Sequence, residues 1–193
     1  MQRIAILLAV GLQLSAFGAG VDAQTSDLLI KKFERVYLQL PPSDDSRVPV
    51  TLRLADLLAE KARRLAMDEM NSGCTECVAG AQERKDALKY YLEVVEKLAD
   101  DKRSRVLSQM GHLYEMNGET EKALKLYSDV IVAEKNPALL GEVHLSMAEL
   151  QFRRSNYPVA QKHYEAALGF AEFERRGFAA YRLAWAQFNQ GNL

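Results

Sequence analysis

Apolar residues recur every three or four positions along most of the chain, which is the spacing of one face of an α-helix. The first such segment covers residues 25–40, with Thr25 or Ser26 as the predicted N-cap, and it ends before the proline pair that starts at Pro41. Its predicted apolar face consists of Leu29, Phe33, Val36, Tyr37 and Leu40. A longer helix is predicted from about Pro49 to Met70. No stretch shows the sustained alternation of a β-strand, so the sequence predicts an all-α fold.

Three later segments repeat one another at a nearly constant interval. The segments that begin at Ala87 and Ala123 lie 36 residues apart and share Ala, Leu, Lys, Tyr and Val at identical offsets. A third segment begins 37 residues later at Ala160 and keeps Ala, Lys and Tyr. Ahead of two of them a partner helix is predicted, ending in turns at Asn117-Gly118 and Ser155-Asn156. A fixed interval of this length is typical of helical repeats.

The small and aromatic positions of these units resemble those of the tetratricopeptide repeat (TPR) family. The residues that carry the resemblance are Gly111, Tyr114, Gly118, Ala123 and Tyr127, together with Ala148, Ala160 and Tyr164 in the next unit. The sequence departs from the family pattern at Leu107 and His144, where an early Trp is usual, and at Gln151, which replaces an aromatic residue. The resemblance covers roughly residues 82–193 and implies antiparallel helix pairs stacked into a solenoid. Small residues let paired helices approach closely, and aromatics fill the space between pairs.

The repeat offsets divide the chain into six units. These are a signal peptide (1–23), an N-terminal helix and proline-rich link (24–47), a degenerate first TPR (48–103), two TPRs (104–140 and 141–176), and the first helix of an incomplete repeat (177–193). The stretch of chain from Ala55 to Ala87 is much longer than the equivalent stretch from Gly111 to Ala123. The first unit therefore contains an insertion, which includes both cysteines.

The N-terminus has the plan of a cleaved secretory signal peptide. Arg3 precedes an almost unbroken apolar run from Ile4 to Phe17, and Val21-Asp22-Ala23 offers small residues at the spacing that signal peptidases accept. The run is shorter than the roughly 20 residues of a membrane-spanning helix. We therefore expect an exported protein, in the periplasm, without a stable membrane anchor.

The overall charge argues against nucleic acid as a partner. The formal net charge is −1, and no basic stripe is apparent in the sequence. Nucleic-acid binding proteins concentrate Lys and Arg on one surface.

The Cys74-x-x-Cys77 unit is the sharpest local feature. A thioredoxin-like redox site would need a neighbouring β-strand, and a c-type haem site would need His where Val78 stands. A zinc site needs two further ligands, and the histidines (His112, His144 and His163) are expected on separate, distant helices. The favoured interpretation is a structural disulfide formed after export. A redox- or metal-linked accessory role through this pair stays open as an alternative.

No motif of an enzyme is present. The sequence lacks a glycine-rich phosphate loop, a Gly-x-Ser-x-Gly turn and a His-Glu-x-x-His helix. We therefore predict no catalytic residues, no cofactor and no bound metal.

The TPR resemblance implies a groove, lined by the first helices of the units, that holds a partner protein or peptide. The residues expected to line it are Arg105, Ser108, His112, Glu142, Leu145, Glu149, Tyr181, Trp185 and Phe188. Ala184 and Gly191 fall in register with Gly111 and Gly118, so further repeats or self-association are expected to cover the aromatic residues of the last helix. The predicted function is a non-catalytic scaffold of the bacterial envelope, in a motility- or secretion-type complex. A cell-wall-binding array is a further alternative.

Overall fold

The computed structural model describes residues 23–75 and 77–191. The predicted signal peptide lies outside these residues, except for Ala23. The α-helices are α1 (Ala23–Gln39), α2 (Arg47–Asn71), α3 (Ala81–Val94), α4 (Asp100–Met116), α5 (Thr120–Ala133), α6 (Pro137–Arg153), α7 (Tyr157–Leu168) and α8 (Arg176–Asn189). The described part of the chain contains no strand, which confirms the all-α fold. None of its helices is long and apolar enough to cross a membrane.

Each helix packs mainly against the helices that precede and follow it in the chain. The closest partners are α2 with α3, α4 with α5, and α6 with α7, while α1 packs on α2 and α8 packs on α7. The buried apolar side chains form three successive clusters, over α1–α4, α4–α6 and α6–α8. Leu107 and Tyr114 contact both of the first two clusters, so the interior continues from one helix pair into the next.

Small residues stand where the paired helices cross. An added Cβ at Gly111 in α4 would overlap the ring of Tyr127 in α5, and Ala123 is fully buried beside it. The same offsets in the other pairs are also buried, at Ala55, Ala87, Tyr91, Ala148, Ala160 and Tyr164. The repeated positions in the sequence therefore mark helix crossings, where close approach leaves no room for larger side chains.

The chain leaves α4, α6 and α8, like α2 at Gly73, through a turn that contains a residue with positive φ. Gly118 and Gly191, after α4 and α8, both have φ +76°, a left-handed conformation that glycine adopts without a steric penalty. Ser155, after α6, has φ +58° and stands 37 residues after Gly118 and 36 before Gly191. Ser155 therefore holds a conformation that normally selects glycine or asparagine.

The first helix pair contains an extension that the others lack. Helix α2 has 25 residues, against 17 in α4 and in α6. The loop after α2 returns to it at Gly80, where an added Cβ would lie 2.5 Å from the carbonyl oxygen of Ala62. Ala62 follows Ala55 at the same offset at which the turn glycine follows the crossing residue in α4. Residues 63–79 therefore form an addition to a regular pair, which we call the α2 arm.

Helix α1 is held against the first pair by a polar cluster. Arg47 lies 4.0 Å from the centre of the Tyr37 ring and donates to Glu93 at 3.1 Å, and the Tyr37 hydroxyl donates to the same carboxylate at 2.7 Å. Two predictions for α1 are wrong. Thr25 and Ser26 both lie inside the helix, so neither is its N-cap, and Val36 is 42% exposed, so it is not part of the buried face.

Candidate functional site

Two of the predicted groove residues are not on the surface. Ser108 is 5% exposed and Leu145 is 1% exposed, and Leu145 belongs to the apolar cluster over α6–α8. The expectation that these two side chains face a partner is wrong. Each stands one helical turn before a crossing residue, Gly111 or Ala148, and so points into its own helix pair.

Other predicted groove residues hold the buried tyrosines in place. The Tyr127 hydroxyl lies 2.9 Å from Nδ1 of His112 and donates to Glu115 at 3.1 Å. The equivalent bonds in the other pairs are Tyr91 to Asp56, at 2.7 Å, and Tyr164 to Glu149. Asp56, His112 and Glu149 each directly follow the small crossing residue. His112 and Glu149 therefore have a structural role, since a buried hydroxyl without a partner is costly.

The burial of these groups changes their acidity. Burial, followed by the charge of the carboxylate partner, raises the pKa of Tyr91 and of Tyr127 well above the ordinary range. Burial also raises the pKa of Asp56, against the opposing effect of the hydrogen bond from Tyr91. The tyrosines remain neutral hydrogen-bond donors at physiological pH.

His144 and His163 lie together, so the expectation that the histidines are scattered is wrong. Their Nδ1 atoms are 3.0 Å apart across the α6–α7 pair, and the His144 ring stacks on Phe170 with 5.9 Å between ring centres. Burial, followed by the neighbouring His163, lowers the pKa of His144 to about 4, and burial also lowers the pKa of His163. Both rings are therefore neutral near pH 7, and the Nδ1–H of one donates a hydrogen bond to Nδ1 of the other.

Cys74 and Cys77 form a disulfide at the tip of the α2 arm, as predicted, with 5.6 Å between their Cα atoms. The carboxylate of Glu69 lies beside them, so that the potential ligand atoms of the three residues are within 4.8 Å of one another. This carboxylate accepts a hydrogen bond from the backbone N–H of Ala79 at 2.5 Å. With both sulfur atoms in the disulfide, the cluster has no thiolate to offer a metal.

The three aromatic residues of α8 form a surface of their own. Tyr181, Trp185 and Phe188 are 60%, 43% and 55% exposed, and with Ala184 they line a depression of about 320 Å³. Their ring centres are 6.3 Å and 5.7 Å apart in edge-to-face contacts. The equivalent face of α4 carries His112 and contacts α5 through Tyr127. The depression shares no lining residue with the clefts around Arg105.

A cleft of about 430 Å³ lies between α2 and α4, and we call it the α2–α4 cleft. Its lining residues are Leu52, Arg53, Asp56, Ala59, Glu60, Arg63, Tyr91, Lys102, Arg105, Val106 and Gln109. A second cleft of about 340 Å³ shares Ala59, Arg63 and Gln109 with it, and includes His112. A third, of about 270 Å³, shares Arg105 and includes Glu142. The α2–α4 cleft shares lining residues with each of the other two, and we call the three clefts together the groove.

The cations of the α2–α4 cleft differ from most arginines elsewhere in the fold. Within residues 23–75 and 77–191, no carboxylate oxygen lies within 4.0 Å of the charged group of Arg53, Arg63, Lys102 or Arg105. In contrast, Arg153 pairs with Glu115, Arg175 with Glu142, and Arg182 with Glu149. The cleft therefore contains four cations that form no ion pair with the described side chains.

Sequence reasoning identified only Arg105 among these four cations. Arg53 and Arg63 lie on α2, outside the stretch that carries the TPR resemblance. A usable signal was present on α4, because Lys102, Arg105 and Gln109 are spaced to share one helix face.

The chain matches no protein-family model, and no curated protein sequence is significantly similar to it. Function is therefore inferred from the geometry of the described residues.

Proposed function

We propose that this chain is a TPR-like solenoid, exported to the bacterial periplasm, that binds a segment of a partner protein in its groove without catalysing a reaction. The observation that carries this proposal is the groove itself, which adjoining clefts form along α2, α4 and α6. Extended peptides and single helices are bound by grooves of this kind in helical-repeat proteins.

The repetition of the helix crossing supports the solenoid. Three pairs place alanine or glycine at the crossing and bury a tyrosine at the same offset, where its hydroxyl meets a polar side chain of the partner helix. Contact mainly between neighbours in the chain is the packing expected of a linear array.

Export is supported by the N-terminal sequence pattern and by the paired cysteines. Disulfides persist in oxidising compartments such as the periplasm. N-terminal sequencing of the protein from the periplasmic fraction is expected to begin at Gln24. Recovery only in the cytoplasm with Met1 retained would reject this part of the proposal.

The absence of catalysis is supported by the state of the titratable groups in the fold. Those whose pKa is shifted furthest, Tyr91, Tyr127 and Tyr164, are buried and hydrogen-bonded to side chains of the paired helix, so they are unavailable to a substrate. Their shifts follow from structural pairing, which perturbs pKa values as active sites do.

Site-specific crosslinking tests the scaffold function directly. A photo-reactive amino acid replaces Gln109, which lies in the groove, or in a matched control Lys125, which is exposed on α5. We expect one discrete crosslinked protein from position 109 in intact cells and none from position 125. Equal or absent crosslinking at both positions, or retention of the protein on purified cell-wall sacculi instead, would contradict binding of a partner protein in the groove.

A further inference from the structure

The positive charge of the α2–α4 cleft lies over an apolar floor. The lining combines the exposed cations of the cleft with the apolar side chains of Leu52, Ala59 and Val106. Two acidic residues, Asp56 and Glu60, are also present, and Asp56 is engaged by the Tyr91 hydroxyl. Four cations against two acids leave a positive balance, whereas the whole chain carries a formal net charge of −1. The positive charge is therefore a local property of the cleft and does not reflect the net charge of the chain.

We propose that the α2–α4 cleft binds an acidic, extended segment of a partner protein, a step that builds on the proposed groove function. The carboxylates of the segment pair with Arg53, Arg63, Lys102 and Arg105, and an apolar side chain of the segment rests on the floor. Charge complementarity supports this occupant, because most other arginines of the array already have a partner within the protein. Arginine suits this ligand because its planar guanidinium group matches a carboxylate in two parallel hydrogen bonds.

The lining favours an acidic peptide over nucleic acid. Proteins that bind single-stranded nucleic acid place exposed aromatic rings under the bases. The only aromatic residue that lines this cleft among the described residues is Tyr91, which is 1% exposed and turned towards Asp56. The carboxylates of Asp56 and Glu60 would also oppose a continuous phosphate backbone.

The length of the charged face indicates an extended ligand. On α4 the cations follow one helix face at Lys102 and Arg105, and on α2 they lie almost three helical turns apart at Arg53 and Arg63. That part of α2 spans about 15 Å, which corresponds to four or five amino acids of extended chain. A short acidic stretch is therefore long enough to contact every cation.

Fluorescence anisotropy with a labelled peptide tests the proposal. The probe alternates Glu or Asp with Leu and Ser, and matched probes replace every acid with Gln or Asn, or with Lys. The protein is the full mature chain, as wild type, as Arg53→Gln/Lys102→Gln, and as the control Arg35→Gln/Lys85→Gln. The control removes the same charges from exposed positions outside the cleft.

We expect the acidic peptide alone to bind, with an affinity that falls as salt is raised. Exposed charge pairs change affinity by roughly two- to fivefold each, so the cleft variant should bind about tenfold more weakly. The control variant should bind as wild type does. Circular dichroism melting curves of the two variants should agree with that of wild type, because none of the four replaced side chains makes an ion pair within the described structure.

Three results would overturn the acidic-segment proposal. One is equal weakening by both double variants, which would mean attraction without a defined site. Another is binding of the neutral or basic peptide in preference to the acidic one. The third is tighter binding of a single-stranded oligonucleotide through the same residues. If crosslinking from position 109 still captures a protein in any of these cases, the groove function stands and only the acidic preference fails. If no protein is crosslinked, both proposals fail.

Discussion

The α2–α3 and α4–α5 pairs are two versions of the same unit, and they differ by the insertion that forms the α2 arm. Both place a small residue at the crossing, and both bury a tyrosine whose hydroxyl meets the residue that follows it, Asp56 in one pair and His112 in the other. The chain reaches its next turn glycine soon after the crossing in α4, at Gly118, but only after a long further stretch of helix in α2, at Gly73. The rest of the insertion lies in the loop that follows Gly73.

The difference shows how a repeat accommodates an insertion. The additional helical part of α2 runs from Ala62 to Asn71, and because it begins after the crossing residue Ala55 it leaves the buried face at the crossing unchanged. The return at Gly80 then places α3 against α2 in the position that α5 has against α4. The crossing is the same in the two pairs because the insertion begins after it.

The largest effect is expected from adding a side chain at Gly80, where the chain returns to α2. Gly80→Ala is expected to lower the free energy of unfolding by about 3 kcal/mol, because the left-handed backbone is costly for alanine and the new Cβ meets the Ala62 carbonyl. Gly118→Ala is the matched control in the regular pair, where nothing lies within 4 Å, and should cost about 1 kcal/mol. Urea denaturation measures both. Equal losses of unfolding free energy in the two variants would mean that the close contact between Gly80 and Ala62 does not affect stability.

The next largest effect is expected from removing the hydroxyl group of a buried tyrosine. Tyr91→Phe leaves the half-buried carboxylate of Asp56 without its donor, and should cost about 2 kcal/mol. Tyr127→Phe should cost less than about 1 kcal/mol, because Glu115 keeps its bond to Arg153. Thermal denaturation of the two variants at neutral pH provides the comparison. A larger loss for Tyr127→Phe than for Tyr91→Phe would contradict this account of the two hydrogen bonds.

These two comparisons also separate what the sequence could and could not predict. The crossings were predictable because close packing restricts Ala55, Gly111 and their equivalents to small residues, and that restriction recurs at a fixed interval. The insertion was predictable from the same interval. The family resemblance implied a groove, but it did not predict that Arg53 and Arg63 would line it, because exposed side chains are under no packing constraint. Ser108 and Leu145 were misplaced because the repeat offset fixes a position along the helix but not which neighbour the side chain faces.

In the α6–α7 pair, we expect the stability of the fold to depend on pH. His144 and His163 have lowered pKa values in the folded protein, so below about pH 6.5 the unfolded chain binds more protons than the folded one. Stability should therefore fall as the pH is lowered from 6.5 towards 4, by about 1 kcal/mol at pH 5 after allowance for partial exposure of the rings. His144→Gln/His163→Gln should remove most of this slope. Chemical denaturation at pH 7 and pH 5 measures it, and an unchanged slope in the variant would assign it to other groups.

The most local effect is expected at the tip of the α2 arm. Cys74→Ser/Cys77→Ser should lower the global free energy of unfolding by less than about 2 kcal/mol, because the disulfide closes only a short loop outside the crossing. Hydrogen exchange should become faster at the Ala79 amide and stay unchanged in α5. Loss of the partner without a change in melting temperature would instead favour the redox- or metal-linked role of the cysteine pair.

The α2 arm has a practical consequence for experiments on this protein. From Ala62 to Asn71 the helix continues for about 14 Å beyond the length of a regular unit, and the chain then returns to where it departed. The tip of the α2 arm is therefore a suitable insertion site, since an exposed loop whose ends already lie close together tolerates an inserted epitope tag or fluorophore. A reporter placed between Gly73 and Cys77 would stand at the opposite end of the arm from Arg63, which lines the α2–α4 cleft, so the protein could be imaged or purified without covering the proposed binding surface.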